Sequence, residues 1–311
     1  MGMNQAWFVG ECMVELRRAG AGLLAQAFAG DVYNTAVYFG RLVNTMRACF
    51  VSAVGTDALS DALLDAAARE HVDTEWVARV VGREPGLYWV ETNEQGERSF
   101  LYWREQSAAR AMLDSGHLER LRASLDACRL IYFSGITLAI LDDGRRGRLL
   151  ELARAVRQRG GWVAFDSNYR RRLWSGPQAA AQWMNAALDS ASHVLVTFED
   201  EAELHGDPDP AATLGRVLAR GAAEAVVKRG ARGCLARSSL MDTPLMIPAE
   251  AVDVVDTTAA GDAFNAGYLA ARLDGADIGK AAELGTRLAG RVIGYPGAII
   301  DAAVMQGLHV F

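Results

Sequence analysis

Asp256-Thr257-Thr258-Ala259-Ala260-Gly261-Asp262-Ala263-Phe264-Asn265-Ala266-Gly267-Tyr268 is the stretch on which the reading of the chain turns. Val252 to Val255 before it is apolar and β-branched like a strand end, and Ala263, Phe264, Gly267, Ala270 and Ala271 recur at helical spacing. The small residues between them therefore open a helix over Gly261 to Leu273. Their side chains leave the backbone N–H groups of Ala259, Ala260 and Gly261 accessible, at a helix end that carries unpaired donors and a partial positive charge. A phosphate fits such a turn. Asp262 stands beside it, where an acid can take a proton from an attacking hydroxyl. An ordinary first-turn Asp, with small neighbours chosen for close helix packing, would give the same spacing.

Outward from this turn, short apolar segments alternate with helical patterns. The strands are expected at Ala6 to Val9, Ala48 to Val54, Leu130 to Phe133, Trp162 to Phe165, His193 to Thr197 and Ala225 to Val227. The helices are expected at Asn34 to Leu42, Ser60 to Glu70, Asp143 to Arg159, Pro177 to Asp189 and Pro210 to Ala219. Such alternation reads as βα units around a parallel sheet. Gly86 to Glu105 breaks it, with strands Leu87 to Thr92 and Arg98 to Trp103 joined by Asn93-Glu94-Gln95-Gly96 as a hairpin. An inserted hairpin can serve as a lid or as a plain extension of a sheet. No repeat or long linker divides the chain, so residues 1–311 read as one domain with a small β lid contributed mainly by residues 86–105.

At 311 residues and 51% hydrophobic composition the chain can bury a large core, and its net charge of −6 argues against nucleic acid as the main partner. Arg145, Arg146 and Arg148 read as a solvated helix face. Cys12, Cys49, Cys128 and Cys234 lie far apart without a C-x-x-C pair, so buried free thiols are expected rather than zinc or disulfides. No basic segment followed by an apolar run opens the chain and no run nears ~20 apolar residues, which makes a soluble cytoplasmic protein with no membrane partner the default. There is no G-x-x-x-x-G-K-[ST] loop; the nearest match, Gly275 to Lys280, has the wrong spacing. Nor does a G-x-G-x-x-G follow the first strand, which disfavours a dinucleotide oxidoreductase.

The stretch Asp256 to Tyr268 resembles the C-terminal motif of the ribokinase-like, or PfkB, carbohydrate kinases. The resemblance runs nearly end to end, through Val9-Gly10-Glu11-Cys12-Met13-Val14-Glu15-Leu16, Ala29-Gly30-Asp31-Val32-Tyr33-Asn34, Leu101-Tyr102-Trp103-Arg104, Phe133-Ser134-Gly135, Asp166-Ser167-Asn168-Tyr169-Arg170-Arg171-Arg172, Val226-Val227-Lys228-Arg229-Gly230-Ala231-Arg232-Gly233 and Tyr295-Pro296-Gly297. Within the family the chain is most similar to the branch acting on 2-keto-3-deoxygluconate. The resemblance implies a ribokinase-like α/β fold, a mostly parallel central sheet flanked by helices, with a small β-sheet lid over the sugar. It implies Asp262 as the base and the amides of Ala259, Ala260 and Gly261 as stabilisers of charge on the transferred phosphoryl group. It places Gly30, Asp31, Asn34, Tyr88, Tyr102, Arg104 and Arg170 around the sugar. A sugar acid calls for an Arg fork on its carboxylate, and Arg104 is the candidate, with Arg170 on either the carboxylate or the moving phosphate. Hairpin packing for Tyr88 and Tyr102, and a surface ion pair for Arg104, are the plainer alternatives.

For ATP the resemblance points to Asn168, Lys228, Gly230, Arg232 and Gly233. Two departures stand out: Ala259, where many members have Gly, and Thr286, where related kinases often have Asn near the adenine. Mg²⁺ is required to neutralise phosphate charge, but the sequence does not locate it. Glu199 and Glu201 organise metal-bound water or are simple helix-start acids. A monovalent cation such as K⁺ near Asp256 and Thr258 is a further family implication. The expected activity is phosphorylation of the terminal hydroxyl of 2-keto-3-deoxygluconate. Fructose, a nucleoside or 2-keto-3-deoxygalactonate are rival acceptors within the family, and a non-catalytic sugar or nucleotide sensor is the rival from outside enzymology. A homo-oligomer, dimer or higher, with the hairpin at its interface, is the family-level expectation.

Overall fold

A computed structural model describes residues 4–92 and 98–308. The turn expected at Asn93-Glu94-Gln95-Gly96 and the side chain of Thr92 lie outside the described residues.

Each apolar segment picked out by the sequence becomes a strand of one sheet, in the spatial order 245–247, 234–238, 224–228, 193–197, 162–166, 128–134, 5–9, 47–54, 72–73. Pairing is parallel from 224–228 through to 72–73, and the strands 234–238 and 245–247 add antiparallel edges. Gln5–Val9 is flanked by Arg47–Val54 on one side and Cys128–Ser134 on the other, so the chain leaves the first strand in one direction and resumes in the other. Such a switch opens a crevice at the carboxyl ends of the strands, where open α/β sheets bind ligands. Val9, Ser134, Asp166, Thr197 and Lys228 all end strands on that edge.

The central strands read as continuous apolar runs because helices cover both faces. One buried cluster joins the sheet to helices Asp31–Leu42, Ala260–Leu273 and Ile278–Ile293, and the other joins it to Asp143–Gln158 and Pro177–Ser190. The last pair of the first group crosses closely because glycines face each other: a Cβ at Gly267 would lie 3.0 Å from Gly285 Cα, and one at Gly285 would lie 2.8 Å from Phe264 O. All four cysteines are free and buried.

Three expectations change. The small second sheet has four strands in the order 23–29, 13–20, 87–92, 98–103, so Met13–Gly20 and Leu23–Ala29 contribute as many strands as the hairpin at 86–105, which was expected to form most of a lid. Residues 252–255 are exposed and belong to neither sheet; the chain there is tied to the end of helix Ile278–Ile293 instead, Val255 and Asp256 N–H both donating to Ile293 O at 2.8 and 3.0 Å. Arg145, Arg146 and Arg148 are not a solvated face. Arg146 lies over the Trp174 and Trp183 rings at 5.0 and 5.4 Å, Arg148 donates to Leu113 O at 3.0 Å, and Arg145 pairs with Asp142. The planar head of Arg146 covers aromatic surface, and all three side chains are half-buried.

Candidate active site

Helix Ala260–Leu273 starts at Asp256 to Ala259, and the geometry of that start is specific. Asp256 is buried; its Oδ1 accepts from Thr258 N–H at 3.0 Å and from Thr258 Oγ1 at 2.7 Å, and its Oδ2 accepts from Gly297 N–H at 2.5 Å. The carboxylate thus shapes the turn from behind. Ala259 caps the helix in the left-handed region, φ 61° and ψ 12°, a conformation that disfavours a side chain. The amides of Ala259 and Gly261 have no hydrogen-bond partner among the described residues. Ala260 differs: its N–H donates to Thr257 O at 3.3 Å, a long bond across the turn.

Asp262 is the third residue of the helix, only half-buried, and its carboxylate accepts from Asn34 Nδ2 at 2.9 Å. Asn34 belongs to the first turn of helix Asp31–Leu42, and its Oδ1 accepts from Gly30 N–H at 3.3 Å. Thr35 Oγ1 ties the same two helices by donating to Asp31 O at 3.0 Å and to Asp262 O at 3.3 Å. Two helix starts are therefore laced together with their acids facing one space. Loss of water, and then the neighbouring Asp31, push the Asp262 carboxyl well above the usual carboxylate range, and the Asn34 hydrogen bond opposes them. Gly30 is required by close approach, since a Cβ there would sit 2.1 Å from Glu11 O.

Beneath the turn is a buried polar network. Lys228 Nζ donates to Asp166 Oδ2 at 2.8 Å and to Asn265 Oδ1 at 3.1 Å, while Asn265 Nδ2 reaches Asp166 at 2.7 Å and the Tyr132 hydroxyl at 2.9 Å. A Cβ on Gly261 would lie 3.4 Å from Lys228 Nζ, so the ammonium backs the anion turn directly. Asn265 is one helical turn below Asp262 and rotates the network into register with it. Asp166 and Asn265 stood in quoted motifs without a role; a buried Lys in a strand, which needs a partner, was the signal.

The remaining expected residues divide. Asn168 donates to Asp31 Oδ2 at 2.8 Å, which joins a residue assigned to ATP with one assigned to the sugar. Gly230 and Gly233 sit at positive φ, and at Gly233 a Cβ would also lie 2.0 Å from Ile247 O. Arg232 is largely exposed, 3.6 Å from Glu199. Glu201 is buried and takes a 2.5 Å bond from Arg216, which commits it to the helix behind the site. Thr286 Oγ1 donates to Ala282 O of its own helix at 2.8 Å. Arg170 is half-exposed, 3.6 Å from Asp200, whose carboxyl burial raises to about 6.

In the lid, Tyr88 is buried and donates to Glu15, while Tyr102 is open to solvent at 39%. The guanidinium groups of Arg104 and Arg172 lie 6.0 and 5.9 Å from the Tyr102 ring centroid. Arg104 is not a surface ion pair: it is buried and paired with Glu11, a residue given no role from sequence. Arg104 Nε and Glu11 Oε1 are buried without a hydrogen-bond partner among the described residues.

These elements place an acid at a helix start, beside amides unpaired among the described residues and a buried lysine, at the carboxyl edge of a parallel sheet and next to the small second sheet, an arrangement that can hold an anion beside a carboxylate. The chain belongs to the pfkB family of carbohydrate kinases, whose family model matches residues 3–304. It is 42% identical over 303 residues to the 2-dehydro-3-deoxygluconokinase of Escherichia coli K12, covering 96% of this chain and 97% of that one. It is 38% identical to the enzyme of the same name from Haemophilus influenzae, covering 99% of each. The fold matches that of a Xylella fastidiosa fructokinase solved with bound ATP, with a TM-score of 0.84, 22% identity and 98% of each chain covered.

Proposed function

We propose that this protein transfers the γ-phosphoryl group of ATP to the terminal hydroxyl of 2-keto-3-deoxygluconate, giving 2-keto-3-deoxy-6-phosphogluconate and ADP, with Asp262 as the general base. Full-length similarity to enzymes of that name supports the reaction. The observation that carries the mechanism is Asp262 held by Asn34 at the mouth of the amide turn. A carboxylate with a raised proton affinity there takes the hydroxyl proton as the oxygen attacks phosphorus. The amides of Ala259 and Gly261, backed by Lys228, stabilise the charge on the phosphoryl oxygens; losing one such donor typically costs roughly 3–4 kcal/mol of barrier. Asp31, Asn34 and Gly30 orient the sugar hydroxyls. Mg²⁺ carried with ATP would neutralise phosphate charge, and the carboxylate of Asp200, or that of Asp166 beyond its bonds to Lys228 and Asn265, could hold it directly or through water.

Arg104, already paired with Glu11, retains an unpartnered Nε for the substrate carboxylate, and half-exposed Arg170 supplies a second guanidinium. The Glu11 pairing also favours a second reading. A neutralised Arg104 suits an uncharged sugar such as fructose, and turnover that survives Arg104→Met with fructose as the preferred acceptor would select it.

K⁺ beside the Asp256 turn is part of the proposal; equal rates in K⁺ and in a large organic cation would remove it. So is self-association through the lid. Its outer face places Leu16, Trp89 and Leu101 in cross-strand register, with Leu24, Leu101 and Trp103 exposed by 52%, 53% and 57%. An apolar sheet face of this kind fits a second copy of itself across a two-fold axis.

A further inference from the structure

Residues 104–111 run from the end of the lid strand Arg98–Trp103 back into the core, and they form a partition with a different chemistry on each side. On one side Arg104 pairs with Glu11 under the Tyr102 ring. On the other lies a cleft of about 180 Å³ lined by Arg83, Glu105, Arg110, Asp142 and Arg145. The arginines outnumber the acids, and the acids are partly spent. Asp142 caps helix Asp143–Gln158 by accepting from Arg145 N–H at 2.8 Å and also pairs with the Arg145 guanidinium. Glu105 accepts from the backbone N–H of Arg104 at 3.1 Å. The guanidinium donors are less used. Among the described residues the Arg83 guanidinium makes one hydrogen bond, to Ser107 O at 3.3 Å, Arg145 Nε is buried with no partner, and the side chain of half-buried Arg110 has no hydrogen bond or ion pair, its backbone N–H alone donating to Ser107 O at 3.2 Å. Each guanidinium offers five donors in a planar fork suited to tetrahedral oxyanions, and like charges gathered in one cleft repel unless an anion joins them.

We propose that this cleft binds a compact phosphate-bearing anion, separate from the nucleotide and sugar, and that its occupant tunes sugar affinity. Arg110 would close on it from the partition, Arg83 from the segment before strand Leu87–Thr92, and Arg145 from the helix start, where the dipole adds attraction. The coupling follows from connectivity. Arg83 already holds Ser107 O, Arg110 lies on the same short segment, and that segment carries Arg104 and the base of the lid strand. An anion drawing the segment outward changes how Arg104 meets Glu11 and the sugar, and by reciprocity the sugar changes affinity for the anion. The binding stands on its own residues, while the effect on sugar affinity rests on the activity proposed above.

The test is calorimetric titration of inorganic phosphate, and separately of glycerol 3-phosphate, into the full chain with a saturating non-hydrolysable Mg-ATP analogue filling the turn before Asp262. Ionic strength is held constant with chloride. Arg110→Met keeps the length and removes the charge. A single saturable event that this variant weakens about tenfold or more supports the site, that being the size of one lost charged hydrogen bond. Tighter binding of the ester than of phosphate identifies a phosphorylated metabolite as the source, and the reverse identifies free phosphate. No heat in the wild type, or a signal unchanged in Arg110→Met, overturns the site. These arms need no turnover, so they fail or succeed independently of the sugar assignment. In turnover, the bound anion is expected to shift the sugar KM at least about twofold in the wild type and not in Arg110→Met; an equal KM with and without the anion overturns the coupling.

Discussion

Asp262 has its proton affinity set by its neighbours, and this fixes the sign of the pH response. A general base works as the carboxylate, so activity falls as pH drops through its pKa. Because loss of water and Asp31 raise that pKa, the acid limb of kcat/KM in the free enzyme is expected above the range of ordinary carboxylates. Asp31→Asn removes the like charge and is expected to move the limb to lower pH while reducing its height; a limb that stays in place would contradict the coupling. Ala259 is a second case where magnitudes decide. A left-handed alanine costs about 1–2 kcal/mol relative to glycine, but Ala259→Gly loses a methyl packed on the lid cluster of Met13, Tyr88 and Val90, about 0.8 kcal/mol, and frees the unfolded chain by about 0.4–1 kcal/mol. The terms nearly cancel, so stability within about 1 kcal/mol of wild type is expected in denaturant melts. The buried Glu11 and Arg104 pair does not cancel. Arg104→Met leaves a lone buried carboxylate and is expected to cost about 3–5 kcal/mol, most of it recovered in the Glu11→Met, Arg104→Met double variant. Asp262 and its turn were legible in the sequence because they are contiguous. The Glu11 pairing was not, since 93 residues separate the partners and only the lid topology joins them.

At the scale of elements, helix Ala260–Leu273 is aimed by its neighbours. Helix Ile278–Ile293 went unassigned from sequence, yet its Gly285 lies against Phe264 O on the second turn of Ala260–Leu273. Gly285→Ala puts a Cβ 2.8 Å from that oxygen, so something must shift. A loss of about 1–3 kcal/mol of stability is expected, together with a fall in kcat larger than any change in ATP KM, because the amides and Asp262 move as one unit. Unaltered kcat would mean that the helix start is held from the Asp256 side alone. The central strands and most helices were readable because period and punctuation agreed. The lid strands at 13–29 were missed because Arg17, Arg18 and a run of small residues blur the alternation, and their pairing to the hairpin is a property of the sheet rather than of either segment.

For the whole molecule, the main sheet supplies the edge that carries the candidate site, and a buried cluster of Met13, Ala29, Tyr88, Val90 and Ala298, with Ala259 packed on it, joins the small second sheet to that edge. The outer lid face is the part of the surface where self-association is expected. Light scattering should give a dimer or larger particle, and Leu101→Glu should reduce it towards monomer; a wild-type monomer at working concentration would count against that interface. The central claim is phosphoryl transfer to a keto-deoxy sugar acid with Asp262 as base. It is tested most directly by ADP release with Mg-ATP and 2-keto-3-deoxygluconate, beside gluconate, fructose, ribose and 2-keto-3-deoxygalactonate, for wild type and Asp262→Asn. The account predicts selective turnover of 2-keto-3-deoxygluconate and a fall of about 10²–10⁴-fold in kcat for the variant, with the sugar still bound. Selective turnover of a neutral sugar, or an Asp262→Asn enzyme that keeps its rate, would contradict it.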